Sequence, residues 1–129
     1  SEDKNFSRGF SFAKIIAANK IMAHGEIEQI LRGKKRDFPC FAGRKMIIIS
    51  ENGLVKPCEM LDVDFGNLRG FGYDIKRILA NSKAQKTLMF IKDKKCTCTF
   101  ENAIQNSLIN NPVSWPQLIK LNFSKKNSK

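Results

Sequence analysis

The sequence has little acidic charge and few of the residues that build common catalytic sites. Its 129 residues include one histidine, and 12 acidic residues stand against 23 basic ones. The histidine, His24, has no second His, Cys or acidic residue at a metal-ligand spacing, so we expect it to fill a structural position at or near the surface. No Ser-His-Asp set or glycine-rich phosphate loop is present, and the carboxylates of Asp62 and Asp64 lack supporting residues. The chain therefore shows no recognisable catalytic set of its own.

Long hydrophobic runs are also missing. No stretch reaches the length and apolarity of a transmembrane helix, and the N-terminus lacks the charged, apolar and small-residue regions of a signal peptide. We therefore expect a cytoplasmic protein, if Ser1 lies close to the natural start. With 42% hydrophobic and 27% charged residues, a chain of this length suits one domain with a modest core.

The net charge of +11 would suit a nucleic acid or another acidic partner, because lysine and arginine displace counterions from phosphate. The basic residues are spread along the chain, however, with short runs at 34–36 and 92–95 and a basic tail at 122–129. They do not gather on one recognisable reading helix. A solvated basic surface is the favoured interpretation, and a nucleic-acid-binding domain stays open as an alternative.

All the cysteines lie in one stretch of the chain, and we interpret them as one metal site: Cys40, Cys58, Cys96 and Cys98. Thiolates are soft ligands that select iron-sulfur clusters, zinc or Cu(I), and a reducing cytoplasm disfavours disulfides. In an extended segment, the side chains of Cys96 and Cys98 point to the same face. The other two cysteines bracket a predicted hairpin, with strands at 44–50 and 54–57 around an Asn52-Gly53 turn that brings its ends together. The two cysteine pairs can therefore meet at one centre.

The hydrophobic pattern predicts an α+β fold, in which an N-terminal helix precedes a small β-hairpin and then helices around the four-cysteine site. The first helix is predicted from Phe12 to Leu31, with Ser11 as its N-cap and Gly33 after its end. Its apolar face includes Ile15, Met22 and Ile30. We expect that face to be an ordinary core stripe, with a docking surface for a missing partner as the alternative.

Further helices are predicted on either side of the second cysteine pair. Asp74 is placed to stabilise the first turn of one helix, and Ser82 to cap the next, which runs to about Lys92. After the last cysteine, residues 101–109 predict another helix. Trp115 opens a final short segment, and we expect its ring to be buried against the hairpin.

The order of these features resembles a known domain. The sequence reads CFAGRKMIIISENGLVKPCEM from Cys40, then DFGNLRG, then KKCTCTFENAIQNSLINNP. This resembles the SPASM or twitch domain found C-terminal to the barrel of many radical S-adenosylmethionine enzymes. Those domains have a Cys, a hairpin with Gly in its turn, a second Cys five residues beyond that Gly, a Gly-Asn-Leu segment opening a helix, and a final cysteine group. The matching positions here are Cys40, Gly53, Cys58, Gly66, Asn67, Leu68, Cys96 and Cys98. The resemblance covers roughly residues 38–112.

The resemblance implies one auxiliary 4Fe-4S cluster, held by the four cysteines in a module that relays electrons and helps to position a substrate, often a peptide or protein. Phe100 and Asn102 stand where some relatives have a further His and Cys, so we expect no second cluster. The chain also lacks the Cys-x3-Cys-x2-Cys triad that holds the cluster which cleaves S-adenosylmethionine. By this resemblance it is a non-catalytic part of a radical enzyme.

The same resemblance divides the chain into three parts. Residues 1–37 would be a helical extension or linker from a radical S-adenosylmethionine barrel domain of the same parent protein. Residues 38–121 would be the cluster-binding domain, and residues 122–129 a basic flexible tail. A structural zinc module in an interaction protein is the alternative on the same four thiolates. The short Cys-x-Cys pair fits zinc less well than the usual Cys-x2-Cys.

Overall fold

The computed structural model describes residues 12–124. Within that range, the helices are α1 Phe12–Leu31, α2 Ile75–Ala80, α3 Ser82–Lys92, α4 Glu101–Asn110 and α5 Trp115–Ser124. The strands are β1 Ile48–Ile49, β2 Leu54–Lys56 and β3 Gly66–Asn67, and two 3-10 helices cover Leu68–Phe71 and Pro112–Ser114. An N-terminal helix, a small antiparallel sheet and further helices confirm the predicted α+β class.

Helix α1 packs against α4 and α5 and forms a helical layer with them. Ala18 and Met22 on its inner face share a core with residues of the other two helices: Ile104, Leu108 and Leu118. Ile15 is buried as well, so the predicted core stripe is confirmed. The helix has the predicted bounds and ends as expected, with the Gly33 N–H donating to the carbonyl of Ile30 at 2.9 Å. The predicted N-cap, Ser11, lies outside the described residues.

The sheet is antiparallel, in the order β1-β2-β3. Ile49 pairs with Val55 across the first turn, and Gly53 in that turn has a φ of +86°, a conformation that glycine adopts without steric cost. The hairpin is where the sequence predicted it, but its strands are shorter than 44–50 and 54–57. The backbone N–H groups of Arg44 and Lys45 both donate to the carbonyl of Phe41. They are therefore used in a turn and are not available to a strand ladder.

The third strand was not predicted from the sequence. Asn67 pairs with Leu54 in the sheet and caps the following 3-10 helix, since its side-chain oxygen accepts from the N–H of Arg69 at 3.0 Å. Its Nδ2 also donates to the carbonyl of Asn52 at 2.8 Å. The expected helix opening at Gly-Asn-Leu is confirmed, and the same asparagine ties that opening to the hairpin turn.

Helices α2 and α3 pack on the sheet through a second core: Val55, Phe65, Ile78, Ala84 and Leu88. Asp74 caps α2 as predicted, accepting from the N–H groups of the first turn. The predicted cap of α3 is wrong, because Asn81 caps that helix and Ser82 is its first residue. The Oδ1 atom of Asn81 accepts from Ala84 N–H at 2.8 Å, and its Nδ2 donates to the Phe65 carbonyl at 2.6 Å. A serine hydroxyl is too short to serve both groups.

The C-terminal helix departs from two expectations. Trp115 is 41% exposed, so its predicted burial against the hairpin is wrong. Its indole N–H donates to the carbonyl of Ile109 at 3.0 Å, which holds the ring at the end of α4. Helix α5 runs to Ser124, beyond the boundary predicted at residue 121, and Asn122 is buried. Segments 1–11 and 125–129 lie outside the described residues.

Across the described range, every helix is too short or too polar to cross a membrane.

Candidate metal centre

The four cysteines line one cavity of about 100 Å³. Each of them is a free thiol. The remaining residues around the cavity are Ala42, Met60, Leu61, Ile91, Thr97 and Ala103. All four side chains proposed as ligands from the sequence are therefore brought to the same place, although they span 59 positions of the chain (40 to 98 inclusive). Their role as ligands stays a prediction.

The first cysteine pair comes from the two ends of the hairpin. Cys40 follows Pro39 in an irregular loop, and Cys58 lies two residues beyond the end of β2. Both are buried. The loop that carries Cys40 is held against α4, because the Phe41 N–H donates to Oγ of Ser107 in that helix at 3.1 Å.

The second pair lies on the segment between α3 and α4. Helix α3 ends at Lys92, and Lys94 adopts a φ of +55° as its N–H donates to the carbonyl of Ile91. That turn redirects the chain into the stretch carrying Cys96 and Cys98, both of which are half-buried. The cysteine pairs are thus presented by elements at either end of the intervening helices.

Gly43 follows the first cysteine closely and has a φ of +79°. A Cβ atom there would lie 2.6 Å from Cδ2 of Leu88 and 3.3 Å from the ring of Phe65. A side chain is excluded here because the backbone passes directly against the core under the sheet.

The surroundings of the thiols are largely apolar. Cys40 and Cys58 pack with Ala42, Ile91 and Ala103, and further hydrophobic side chains lie against this group: Met46, Leu61 and Phe100. Such a wall limits the access of water and lowers the local dielectric constant, two properties that tune the reduction potential of a metal group.

Burial governs the chemistry of the two half-buried thiols. It raises the pKa of Cys98, and the neighbouring thiols Cys40 and Cys58 act in the same direction, while a backbone hydrogen bond from Phe100 lowers it. The pKa of Cys96 is raised chiefly by burial as well, against the lowering effect of a nearby guanidinium, Arg36. Metal binding would therefore have to displace a proton from each thiol.

The start of helix α4 lies directly after Cys98. Phe100 is the N-cap of α4 and offers no side-chain cap, and its backbone N–H is the group that bonds to Cys98. The first N–H groups of a helix carry partial positive charge and stabilise thiolates. The fold thus places an N–H group with partial positive charge beside the sulfur of Cys98.

Arg36 is a residue of the site that the sequence interpretation missed. It belongs to the basic run 34–36, which was interpreted as a solvated surface, yet it is only 7% exposed. Its guanidinium lies over the ring of Phe38, 5.8 Å from the centroid. Its charge lowers the pKa of both Cys96 and Cys98, although burial outweighs it at each thiol. The available signal was its spacing, since Arg36 stands two residues before Phe38 and four before Cys40, in phase with two apolar positions.

The four thiols surround a space and do not meet at a point. Within residues 12–124, no three His, Cys, Asp or Glu side chains converge closely enough to hold one metal ion. The cavity between the sulfurs has room for several water-sized groups, since one such group needs about 10–15 Å³. Four soft donors around a buried space of this size fit an iron-sulfur cluster.

The remaining titratable residues singled out from the sequence lie elsewhere. His24 is exposed on α1 and pairs with Glu101 at 3.2 Å, in keeping with the structural role expected of it. Asp64 pairs with Lys83 at 3.0 Å, and Asp62 is exposed in the loop before it. Neither carboxylate lines the cysteine cavity.

Residues 40–99 match the family model of the SPASM domain, described as an iron-sulfur cluster-binding domain. No curated protein and no solved structure matches the chain. The match begins at the first cysteine and ends one residue beyond the last. The resemblance to SPASM inferred from the sequence is confirmed for this segment, and its family description supports binding of an iron-sulfur cluster.

Proposed function

We propose that the SPASM segment at residues 40–99 binds one 4Fe-4S cluster through four cysteine ligands, as the auxiliary cluster domain of a radical S-adenosylmethionine enzyme. The proposed ligands are Cys40, Cys58, Cys96 and Cys98. The observation that carries the proposal is the cavity of about 100 Å³ that all four thiols line.

The size of that cavity favours a cluster over a single zinc ion. Zinc binds thiolate sulfur at about 2.3 Å, so four ligating sulfurs would all lie within about 4.6 Å of one another and leave no cavity between them. A multinuclear group fills such a space while each sulfur reaches a different iron. Within residues 12–124 the thiols do not converge closely enough to hold one metal ion, so zinc binding would require them to approach one another.

When bound, such a cluster supplies a site that accepts and donates single electrons. The chain contributes the environment of that site. Its apolar wall limits the access of water to the sulfurs, and the Arg36 guanidinium and the Phe100 N–H offset negative charge on the thiolates. Because cysteine fills all four ligand positions, no iron is left open for a substrate. Electron transfer or structural support is therefore favoured over direct ligation of substrate.

The partners in this proposal are a radical-generating barrel domain of the same parent protein and a peptide or protein substrate positioned against it. The resemblance of the sequence to domains that follow such barrels supports this context. Free thiols in all four positions suit a reducing compartment, so we place the protein in the cytoplasm.

The test is a set of single Cys→Ser variants purified without oxygen. Each of Cys40→Ser, Cys58→Ser, Cys96→Ser and Cys98→Ser should lose iron and the paramagnetic signal of the reduced cluster. Thr97→Ser is the matched control, since it lies between two ligands and lines the same cavity, and it should retain both. A Cys58→Ser variant that kept the full iron content and a reversible redox transition would refute the ligand assignment.

A further inference from the structure

A second cavity shares Thr97 with the thiol cavity. It has a volume of about 340 Å³, and its lining is strongly basic: Lys35, Arg36, Lys94, Lys95 and Thr97. Like charges brought around one space repel each other unless a counter-charge sits between them. The composition of this lining therefore points to an anion.

Nearby acidic groups offset only part of this charge. Lys95 lies 3.8 Å from Asp93, and Asp37 lies 3.5 Å from Lys34, a lysine outside the lining. Lys94 Nζ donates to the backbone carbonyl of Asp37 at 2.8 Å, a bond that fixes its position without cancelling its charge. The cavity thus keeps an excess of positive charge.

Arg36 supplies the second, independent observation. This arginine is more than nine-tenths buried, and its Nε and Nη2 atoms have no hydrogen-bond partner within the described residues. Buried donors are normally paired, and a buried donor left unpaired costs free energy, the more so when it belongs to a charged group. A buried, unpaired guanidinium beside three lysines leaves positive charge without a counter-charge, and an anion in the cavity would offset it.

We propose that this basic cavity is a binding site for a phosphate group. Phosphate monoesters and inorganic phosphate carry up to two negative charges and several acceptor oxygens around one centre. The lysines and Arg36 supply positive charge, and Thr97 completes the lining. A carboxylate carries one charge and two oxygens, so it would neutralise fewer of the basic side chains around the cavity than a phosphate group does. The site uses none of the four cysteines as a ligand, although its Arg36 also acts on Cys96.

The test is calorimetric titration of the full chain with inorganic phosphate and then pyrophosphate, at low and constant ionic strength. Wild type should bind pyrophosphate more tightly than phosphate. Lys35→Ala and Lys95→Ala should each weaken binding by about fivefold, as expected for loss of one partly exposed charge contact. The matched control is Lys86→Ala, which removes the same charge from an exposed position on α3 outside the cavity and should change binding by less than about twofold.

A fourth variant tests the charge of Arg36. Arg36→Gln removes the guanidinium charge, and it should weaken pyrophosphate binding by about fivefold or more. Its fold is checked by circular dichroism beside the lysine variants, which remain informative if this one fails to fold. Absence of phosphate and pyrophosphate binding, or equal loss in Lys86→Ala, would overturn the proposal.

Competition identifies the source of the phosphate. A short oligothymidylate carries the same group on a nucleic-acid backbone. If it displaces pyrophosphate and binds more weakly to Lys35→Ala and Lys95→Ala, the ligand is a backbone phosphate. If it does not displace pyrophosphate, the site serves a small phosphorylated molecule. Either result supports a phosphate site when the variants behave as expected.

Discussion

The backbone N–H of Phe41 donates a 3.1 Å hydrogen bond to Oγ of Ser107. The bond joins the residue after Cys40 to helix α4, which begins shortly after Cys98. Ser107 is fully buried, and its hydroxyl in turn donates to the carbonyl of Ala103 at 2.6 Å. Ser107 thus links the loop that carries Cys40, the first proposed ligand, to the helix that follows Cys98, the last proposed ligand.

Replacing Ser107 by alanine should therefore loosen the candidate metal centre. The Phe41 N–H would be left without its partner in a partly buried position, at a cost of about 1–3 kcal/mol in unfolding free energy. Denaturant unfolding of anaerobically purified protein measures this loss. Asn110→Ala, an exposed change on the same helix, should cost less than about 0.5 kcal/mol. Equal stability of the two variants would contradict the role assigned to this bond.

Two glycines should respond in opposite directions to alanine. In Gly43→Ala, an alanine has to adopt a positive φ, and its Cβ would lie 2.6 Å from Cδ2 of Leu88. The substitution should therefore destabilise the fold by about 2–4 kcal/mol. Gly25 lies within α1, and no atom stands within 4 Å of the place a Cβ would take there, so Gly25→Ala should stabilise by about 0.5–1 kcal/mol. Thermal and denaturant unfolding compare the pair. A neutral Gly43→Ala would show that the backbone there is not confined.

Asn81 is predicted to matter more than its neighbour Ser82. Asn81→Ala removes the N-cap of α3 and the bond to the Phe65 carbonyl, and it should cost about 1–3 kcal/mol. Ser82→Ala should stay within about 0.5 kcal/mol, since Ser82 does not cap the helix. Chemical denaturation of both variants is the measurement. A larger loss in Ser82→Ala would restore serine as the cap, as the sequence had suggested.

The ion pair between Asp64 and Lys83 predicts a pH dependence. The hydrogen bond from Lys83 lowers the pKa of Asp64 below its ordinary value of 3.8. A lowered folded-state pKa means that the pair stabilises the fold above pH 3.8, and that this contribution fades as the pH falls through the folded value. In Lys83→Met the Asp64 pKa should rise towards 3.8, as followed by carboxyl NMR titration. Lys86→Met on the same helix should leave the lowered pKa of Asp64 unchanged. If the Asp64 pKa also stays unchanged in Lys83→Met, the ion pair is not the cause of its lowering.

The sequence was most informative where local chemistry decides the structure. The 3.6-residue pattern of α1 and the carboxylate of Asp74 need only their own neighbours, and both were predicted correctly. The Asn-Gly turn located the hairpin for the same reason. The grouping of the cysteines followed from their order along the chain, and the structure places all four at one cavity.

The features that were missed depend on contacts between distant segments. Asn81 caps α3 because Phe65, 16 residues earlier, also accepts from it. Trp115 is drawn to the Ile109 carbonyl and so stays away from the hairpin. Arg36 looked like one of three exposed charges until the fold placed Phe38 and the thiols around it. Such outcomes are set by which surfaces meet, and a one-dimensional pattern does not contain that information.

Residues 40–99 are expected to hold an iron-sulfur cluster. The most direct test is the iron, zinc and acid-labile sulfide content of protein purified without oxygen, with its visible absorption spectrum. We predict iron and sulfide in equal amounts, about four of each per chain, with charge-transfer absorption that oxygen bleaches. One zinc per chain without sulfide, or no metal at all, would contradict the claim.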